Sequence, residues 1–253
     1  MSTLTLFNKS IRHGVRSHIP DIYCLRRYCP KPYSQGNLIS CTASAIASYI
    51  KMLRSDFEPS RLFLYTCEQL KERPKKKIED NGADAKTGCL IIATLGVCDE
   101  KYMPYIINDG GKVIGFGEPP STEAYINALT HKFPIFEDIT PNNPNKLLIN
   151  IKIALVDNKP VLMGFLIFPS FANIGSDGIM SNPTKEDLKT FPSAHEVLCV
   201  GYNNETKYLT ILNSWGEEWG DKGFFYMPYS FLIAGSYHGH WYVDQLLTLG
   251  QIK

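Results

Sequence analysis

Apolar residues recur at helical spacing in the first half of the chain and gather into short continuous runs in the second. Ala43, Ile46, Ile50 and Leu53 share one face of a helix that follows Ser40 and ends near Asp56, ahead of Pro59. Ser40 stands where an N-cap is expected, which puts Cys41 in the first turn. Leu62, Tyr65 and Leu70 outline a second helix from Ser60 to about Lys71. A third runs through Leu90–Leu95 and is stopped by Gly96. Residues 122–132 and 147–156 fit two more helices. From Pro160 onward the runs read as strands: 160–168, 196–202, 208–212, 224–227 and 241–243. Asn203-Asn204 supplies a hairpin turn between the second and third of these. Helices first and strands afterwards predict an α+β fold. The expected architecture is a helical N-terminal lobe over about 33–135 and a β-rich, barrel-like C-terminal lobe over about 136–253, with a cleft between them. Residues 1–18 show little periodicity and are expected to form an extension, either mobile or draped over a lobe.

Composition narrows the classes. The chain has 253 residues, 44% of them hydrophobic, and a formal net charge of +1. That length can bury a large core. The near-neutral charge gives no electrostatic case for nucleic acid or a membrane surface as partner. No apolar leader or transmembrane-length run is visible, so an intracellular location and a monomer are the default expectations. Seven cysteines cannot all pair, and none lies in a zinc-like cluster; neither a metal nor another cofactor is expected. A Cys24–Cys29 link is the only pairing considered.

The candidate chemistry begins at Cys41. The free N–H groups and positive dipole end of a helix first turn stabilise a thiolate. Gln35, six residues earlier, carries an amide N–H that can serve an oxyanion. A thiol nucleophile also needs an acid–base group and something to hold it. His195 precedes an apolar strand, and Asn213-Ser214-Trp215-Gly216 follows the next strand. Imidazole can ionise the thiol and protonate the leaving group, an Asn carbonyl can fix the imidazole tautomer, and Trp215 can shield that bond from water.

These motifs make the chain similar to the papain-like cysteine peptidases of the papain and cathepsin family. They are Gln35-Gly36 with Ser40-Cys41, His195-Glu-Val, Asn213-Ser-Trp-Gly-x-x-Trp-Gly-x-x-Gly-Phe, and Tyr102-x-Pro-Tyr105. Ser40-Cys-Thr-Ala, Arg61-Leu-Phe-Leu-Tyr65 and Tyr226-Met-Pro-Tyr229 resemble bacterial and large-virus members most. The separation of Cys41 from His195, 154 residues, is slightly beyond the roughly 130–150 of the papain group.

The resemblance implies hydrolysis of peptide bonds in peptides or proteins through a thioester on Cys41, with His195 as base and acid, Asn213 orienting it and Gln35 in the oxyanion hole. It also implies that Gly82 and Ala83 pair with the substrate backbone and that Gly164 and Ala194 line a second specificity pocket. Because both are small, that pocket is expected to be roomy and to take a bulky apolar or aromatic side chain. Three departures stand out. Thr42 replaces a Trp, Ile39 replaces a Gly and can crowd the first pocket, and Glu196 replaces an Ala and is expected to point to solvent. The alternatives are an acyl transferase or exopeptidase on the same fold, and a non-catalytic binding protein.

Overall fold

The computed structural model describes residues 19–74 and 76–252, so the extension at 1–18 lies outside the described residues. Its elements begin with β1 (Ile22–Cys24), followed by the helices α1 (Cys41–Leu53), α2 (Arg61–Glu72), α3 (Ala85–Thr94) and α4 (Thr122–Ala128). Then come β2 (Glu137–Asp138), α5 (Leu147–Val156), β3 (Val161–Ile167), β4 (Ser193–Asn203), β5 (Tyr208–Leu212) and β6 (Phe224–Pro228). The chain closes with α6 (Tyr229–Ala234), β7 (Ser236–Tyr237), β8 (His240–Trp241) and β9 (Val243–Thr248). The strands form one antiparallel seven-stranded sheet in the order β2-β9-β3-β4-β5-β6, with β1 on β4 and a separate β7–β8 ribbon. No helix among the described residues is long and apolar enough to cross a membrane.

Two elements position everything else. In α1, eleven of thirteen residues are buried, so the helix is covered on all sides. It packs against β4 and against α2 and α3, and its Ile46, Tyr49 and Ile50 are wholly buried. Strand β4 is the long strand of the sheet. It pairs with β3 through Ser193–Cys199 and with β1 through Gly201–Asn203 on one edge, and with β5 on the other. With neighbours on both edges and α1 on one face, its middle is a continuous buried run rather than an alternating one. The start of α1 and the start of β4 therefore meet where helices face sheet.

The ends of α2 and α3 follow local chemistry, whereas the start of α1 does not. Ser60 caps α2 by accepting from the Phe63 N–H at 3.0 Å, and Asp84 caps α3 through the N–H groups of Lys86 and Thr87. Gly96, at φ +91°, closes α3 with its N–H on the Ile91 carbonyl. Ser40 makes no side-chain cap; its hydroxyl bonds Tyr105 at 2.7 Å instead. Tertiary contact outcompetes the local cap there.

Other expectations needed revision. The strand predicted over 241–243 is interrupted, because Trp241 ends the short β8 and Val243 begins β9. Strands β1 and β2 and helix α6 were not foreseen; β1 and β2 are only three and two residues long and owe their form to partners on β4 and β9. All seven cysteines are free thiols, so the Cys24–Cys29 link is not formed.

Candidate active site

The turn at Gln35-Gly36 carries the first part of the site. Gly36 has φ +57°, and a Cβ on it would come within 2.5 Å of the Gly111 carbonyl oxygen, so glycine is required twice over. Asn37 clips the same turn to the 106–120 loop by donating from its backbone to Gly111 and from its side chain to Gly110. Arg61, buried between the rings of Tyr33 and Tyr105, donates to the Ser34 carbonyl at 2.8 Å. Tyr105 donates to the Gln35 carbonyl. The turn is held from below by aromatic rings and a guanidinium.

The Gln35 side chain is buried and fixed at both ends. Its Oε1 accepts from Ser214 Oγ at 2.7 Å, and its Nε2 donates to the Leu38 carbonyl at 2.7 Å. An amide nitrogen carries two hydrogens, so one N–H remains for a ligand. The Gln35 backbone N–H also donates to the Ser214 carbonyl. Ser214, to which the sequence assigns no role of its own, therefore joins the Gln35 turn to the loop carrying Asn213.

His195 enters from β4. Its Nε2 lies 2.8 Å from Asn213 Oδ1. That oxygen is an acceptor only, so Nε2 carries the hydrogen and Nδ1 of the neutral ring is left with a free lone pair. Asn213 Oδ1 also accepts from the Ser214 N–H, and the Asn213 backbone donates to Gly223, which fixes the amide against rotation. Trp215 lies over the imidazole at 5.4 Å, and Phe165 and Phe171 close its other sides. Trp215, Trp219, Phe171 and Phe225 form one aromatic cluster behind the ring. Farther back, Arg26 donates to Asp221 and Tyr226 and stacks on Phe224, which pins the start of the chain to the Gly-rich turn after Trp219.

Cys41, 6% exposed, and His195, 6% exposed, both line a cleft of about 560 Å³ between helices and sheet. Burial pushes the Cys41 thiol up to about 12, opposed by the Glu196 and Thr42 backbone N–H groups, while the Glu196 and Glu68 carboxylates push it further up. Burial likewise brings His195 down to about 4, against the Asn213 bond. Each charge alone is unfavourable in this setting. A proton passed from sulfur to imidazole would create two opposite charges, each offsetting the other's burial cost.

The expected substrate residues all line this cleft: Gly82 and Ala83 from the helical side, Gly164 and Ala194 from the sheet. Gly82 is already engaged within the protein. Its N–H donates to Tyr65 Oη, and its carbonyl accepts from Gln69 and Arg73. Among the described residues, neither backbone polar group of Ala83 is used, so Ala83 is the one free to pair with a ligand. Ile39 stands half-exposed at the rim beside Gly82, its N–H on Asp80. Glu196 corrects an expectation: it is 5% exposed and faces the cleft, not solvent. Four carboxylates, those of Glu72, Asp84, Glu196 and Asp244, also line this cleft.

A nucleophile-bearing helix set against a sheet-borne imidazole, with an amide on the far ring nitrogen, is the layout of thiol hydrolases. Comparison with known proteins narrows the class: the chain belongs to the papain family of cysteine proteases, whose family model matches residues 32–231. It is 32% identical over 246 residues to an uncharacterized peptidase C1-like protein of Acanthamoeba polyphaga mimivirus, covering 91% of this chain and 76% of that one. It is 35% identical over 89 residues to a cathepsin B-like cysteine proteinase of Ostertagia ostertagi; that match covers 34% of this chain and 46% of the relative. Among solved structures, xylellain, a cysteine protease from Xylella fastidiosa, superposes with TM-score 0.76 at 28% identity, covering 93% of this chain and 88% of that one.

Proposed function

We propose that the protein cleaves peptide bonds of peptides or proteins, with Cys41 as nucleophile, His195 as base and then acid, Asn213 as its orienter and Gln35 as oxyanion donor. The observation that carries this reading is the 2.8 Å Nε2–Oδ1 bond, which leaves Nδ1 free to take a proton in the cleft that also exposes Cys41.

The proton of the Cys41 thiol passes to His195 Nδ1 as sulfur attacks the scissile carbonyl carbon, and the carbonyl π pair moves to oxygen. The remaining Gln35 N–H and the Cys41 backbone N–H receive that oxyanion. Collapse breaks the C–N bond. The departing amine takes the proton from the imidazolium and leaves a thioester on Cys41. Water then adds with His195 accepting its proton; the C–S bond breaks, the thiolate regains that proton, and a carboxylic acid leaves. Throughout, Asn213 keeps the hydrogen on Nε2 and Trp215 covers that bond. Ala83 pairs with the substrate backbone, while Gly82 braces it.

The test is alkylation of Cys41 by iodoacetamide across pH, read by peptide mass spectrometry. A thiolate made together with an imidazolium is modified well below a free thiol's pKa of about 8.5, and His195→Ala abolishes this. The comparison within the same sample is built in: burial also pushes Cys29, Cys67, Cys98 and Cys199 up to about 12, and the cleft reaches none of them. Alkylation of Cys41 no faster than of those thiols would overturn the assignment.

A further inference from the structure

We propose that the Tyr105 hydroxyl is a positioning group for the oxyanion hole. It bridges Gln35 and Ser40, and so sets the Gln35 side-chain N–H and the Cys41 backbone N–H in fixed relation to each other. The proposal rests on the peptidase reading above, in which those two N–H groups receive the substrate oxyanion.

The phenol makes two hydrogen bonds with one hydrogen. Its oxygen lies 2.8 Å from the Gln35 carbonyl oxygen and 2.7 Å from Ser40 Oγ, and all three residues are buried. A carbonyl can only accept, so the Tyr105 hydrogen goes to Gln35 and the phenol oxygen accepts from Ser40. Burial pushes the phenol up to about 12, against the Ser40 bond and the Arg61 charge, so that hydrogen stays in place through neutral pH.

The two anchors stand at the two ends of the segment that carries both donors. The Gln35 amide is locked to its own turn by the Leu38 carbonyl and to Ser214 Oγ. Cys41 is the first residue of α1, so its N–H has no acceptor within the helix. Neither arrangement sets one donor against the other. The Tyr105 hydroxyl does, by joining the residue that supplies the first donor to the residue just before the second.

Ser40 has a competing arrangement. At φ −102° and ψ 33° it lies outside the extended region where capping residues usually sit, and its side chain caps nothing. Released from Tyr105, its hydroxyl can accept from the N–H of Thr42 or Ala43 as an ordinary cap, with ψ of Ser40 rotating to allow it. That rotation turns the peptide between Ser40 and Cys41, and the Cys41 N–H belongs to that peptide. The Tyr105 ring is held independently of the bridge. Its backbone N–H donates to Glu100 Oε1 at 2.7 Å, and the Arg61 guanidinium lies 3.9 Å over its face. Tyr105→Phe therefore keeps these contacts and removes only the bridge.

The test compares reactions that form an oxyanion with one that does not. Tyr105→Phe in the full chain is expected to lower kcat on a peptide substrate about tenfold with KM within about twofold, part of the roughly 10²–10³ that a whole donor is worth. Alkylation of Cys41 by iodoacetamide makes no oxyanion, so its rate across pH should match the wild type. A peptide aldehyde adds to Cys41 and places its oxygen in the hole, whereas the matching alcohol does not. The aldehyde-to-alcohol affinity ratio should fall by about the same factor as kcat. Ser40→Ala breaks the other arm of the bridge and should show the same split, which covers the case in which Tyr105→Phe does not fold. With Gln35→Ala already in place, Tyr105→Phe should cost only about twofold, because one of the two donors is gone. Equal loss of turnover and alkylation, an unchanged kcat and aldehyde ratio in both variants, or full additivity with Gln35→Ala would overturn the proposal. A wild-type chain that cleaves no peptide refutes the peptidase reading instead, and the aldehyde-to-alcohol ratio still decides the role of Tyr105.

Discussion

Gln35 shows how much a single side chain is asked to do. Its oxygen ties it to Ser214 and one of its amide hydrogens ties it to Leu38; in the proposed mechanism the other serves the substrate oxyanion. Gln35→Ala is expected to lower kcat by about 10²–10³, the cost of one oxyanion donor, with a smaller change in KM. The same substitution strands Ser214 Oγ, so Gln35→Glu, which keeps the acceptor and removes the donor, is the better control in steady-state kinetics. Asn213→Ala leaves His195 free to turn and to adopt the other tautomer. A loss of kcat with Cys41 alkylation shifted toward the free-thiol pH range is expected, whereas Asn213→Asp should retain much of that reactivity.

At the scale of elements, the contact between α1 and α2 contains an unusual group. Glu68 is fully buried; Oε2 accepts from Thr42 Oγ1 at 2.8 Å and, among the described residues, Oε1 has no partner. Burial holds its carboxyl protonated to well above the usual pH, with the Thr42 bond opposing. An acid whose folded pKa is raised binds more protons folded than unfolded. Stability therefore falls as pH rises from the unfolded carboxylate value through the raised one. Glu68→Gln should raise the thermal midpoint at pH 7–8, and the gain should vanish near pH 4; an equal gain at both would show that the carboxyl does not titrate in this window. Core packing in α1 is more ordinary. Ile50 is wholly buried, and Ile50→Ala should cost about 2–5 kcal/mol in denaturant unfolding.

For the whole molecule, α1 belongs to both sides of the cleft, since it packs on α2 and α3 and also along β4. The Tyr49 hydroxyl extends this by donating to the Gly250 carbonyl, so the end of the chain is fastened to the same helix. With so much apolar surface shared, the helical and sheet parts are expected to unfold in one transition. Far-ultraviolet circular dichroism and protection of the buried thiols should report the same midpoint; two separated midpoints would mean that the two sides are independently stable.

What could be read from residues alone was whatever local pattern carries. The helices from Cys41, Ser60 and Leu147 and the strands about 161–167 and 208–212 announced themselves by spacing, because helix and strand periods are properties of a short window. Cys41, Gln35, His195 and Asn213 were legible because a thiol, an imidazole and two amides of this kind have few other joint uses. Where an element depends on its neighbours, the local pattern fell silent. Strands β1 and β2 exist only through their pairing, Ser40 gave up its cap for Tyr105, and a thirteen-residue helix buried all round has no polar face to mark its orientation. Nothing in the local pattern announces that the Ser214 hydroxyl reaches Gln35 across 179 positions of sequence. Glu196 looked like a surface charge beside His195. Only the sheet register and the packing of α1 decide that both residues are buried on the wall of one cleft, because neither is a property of a short window.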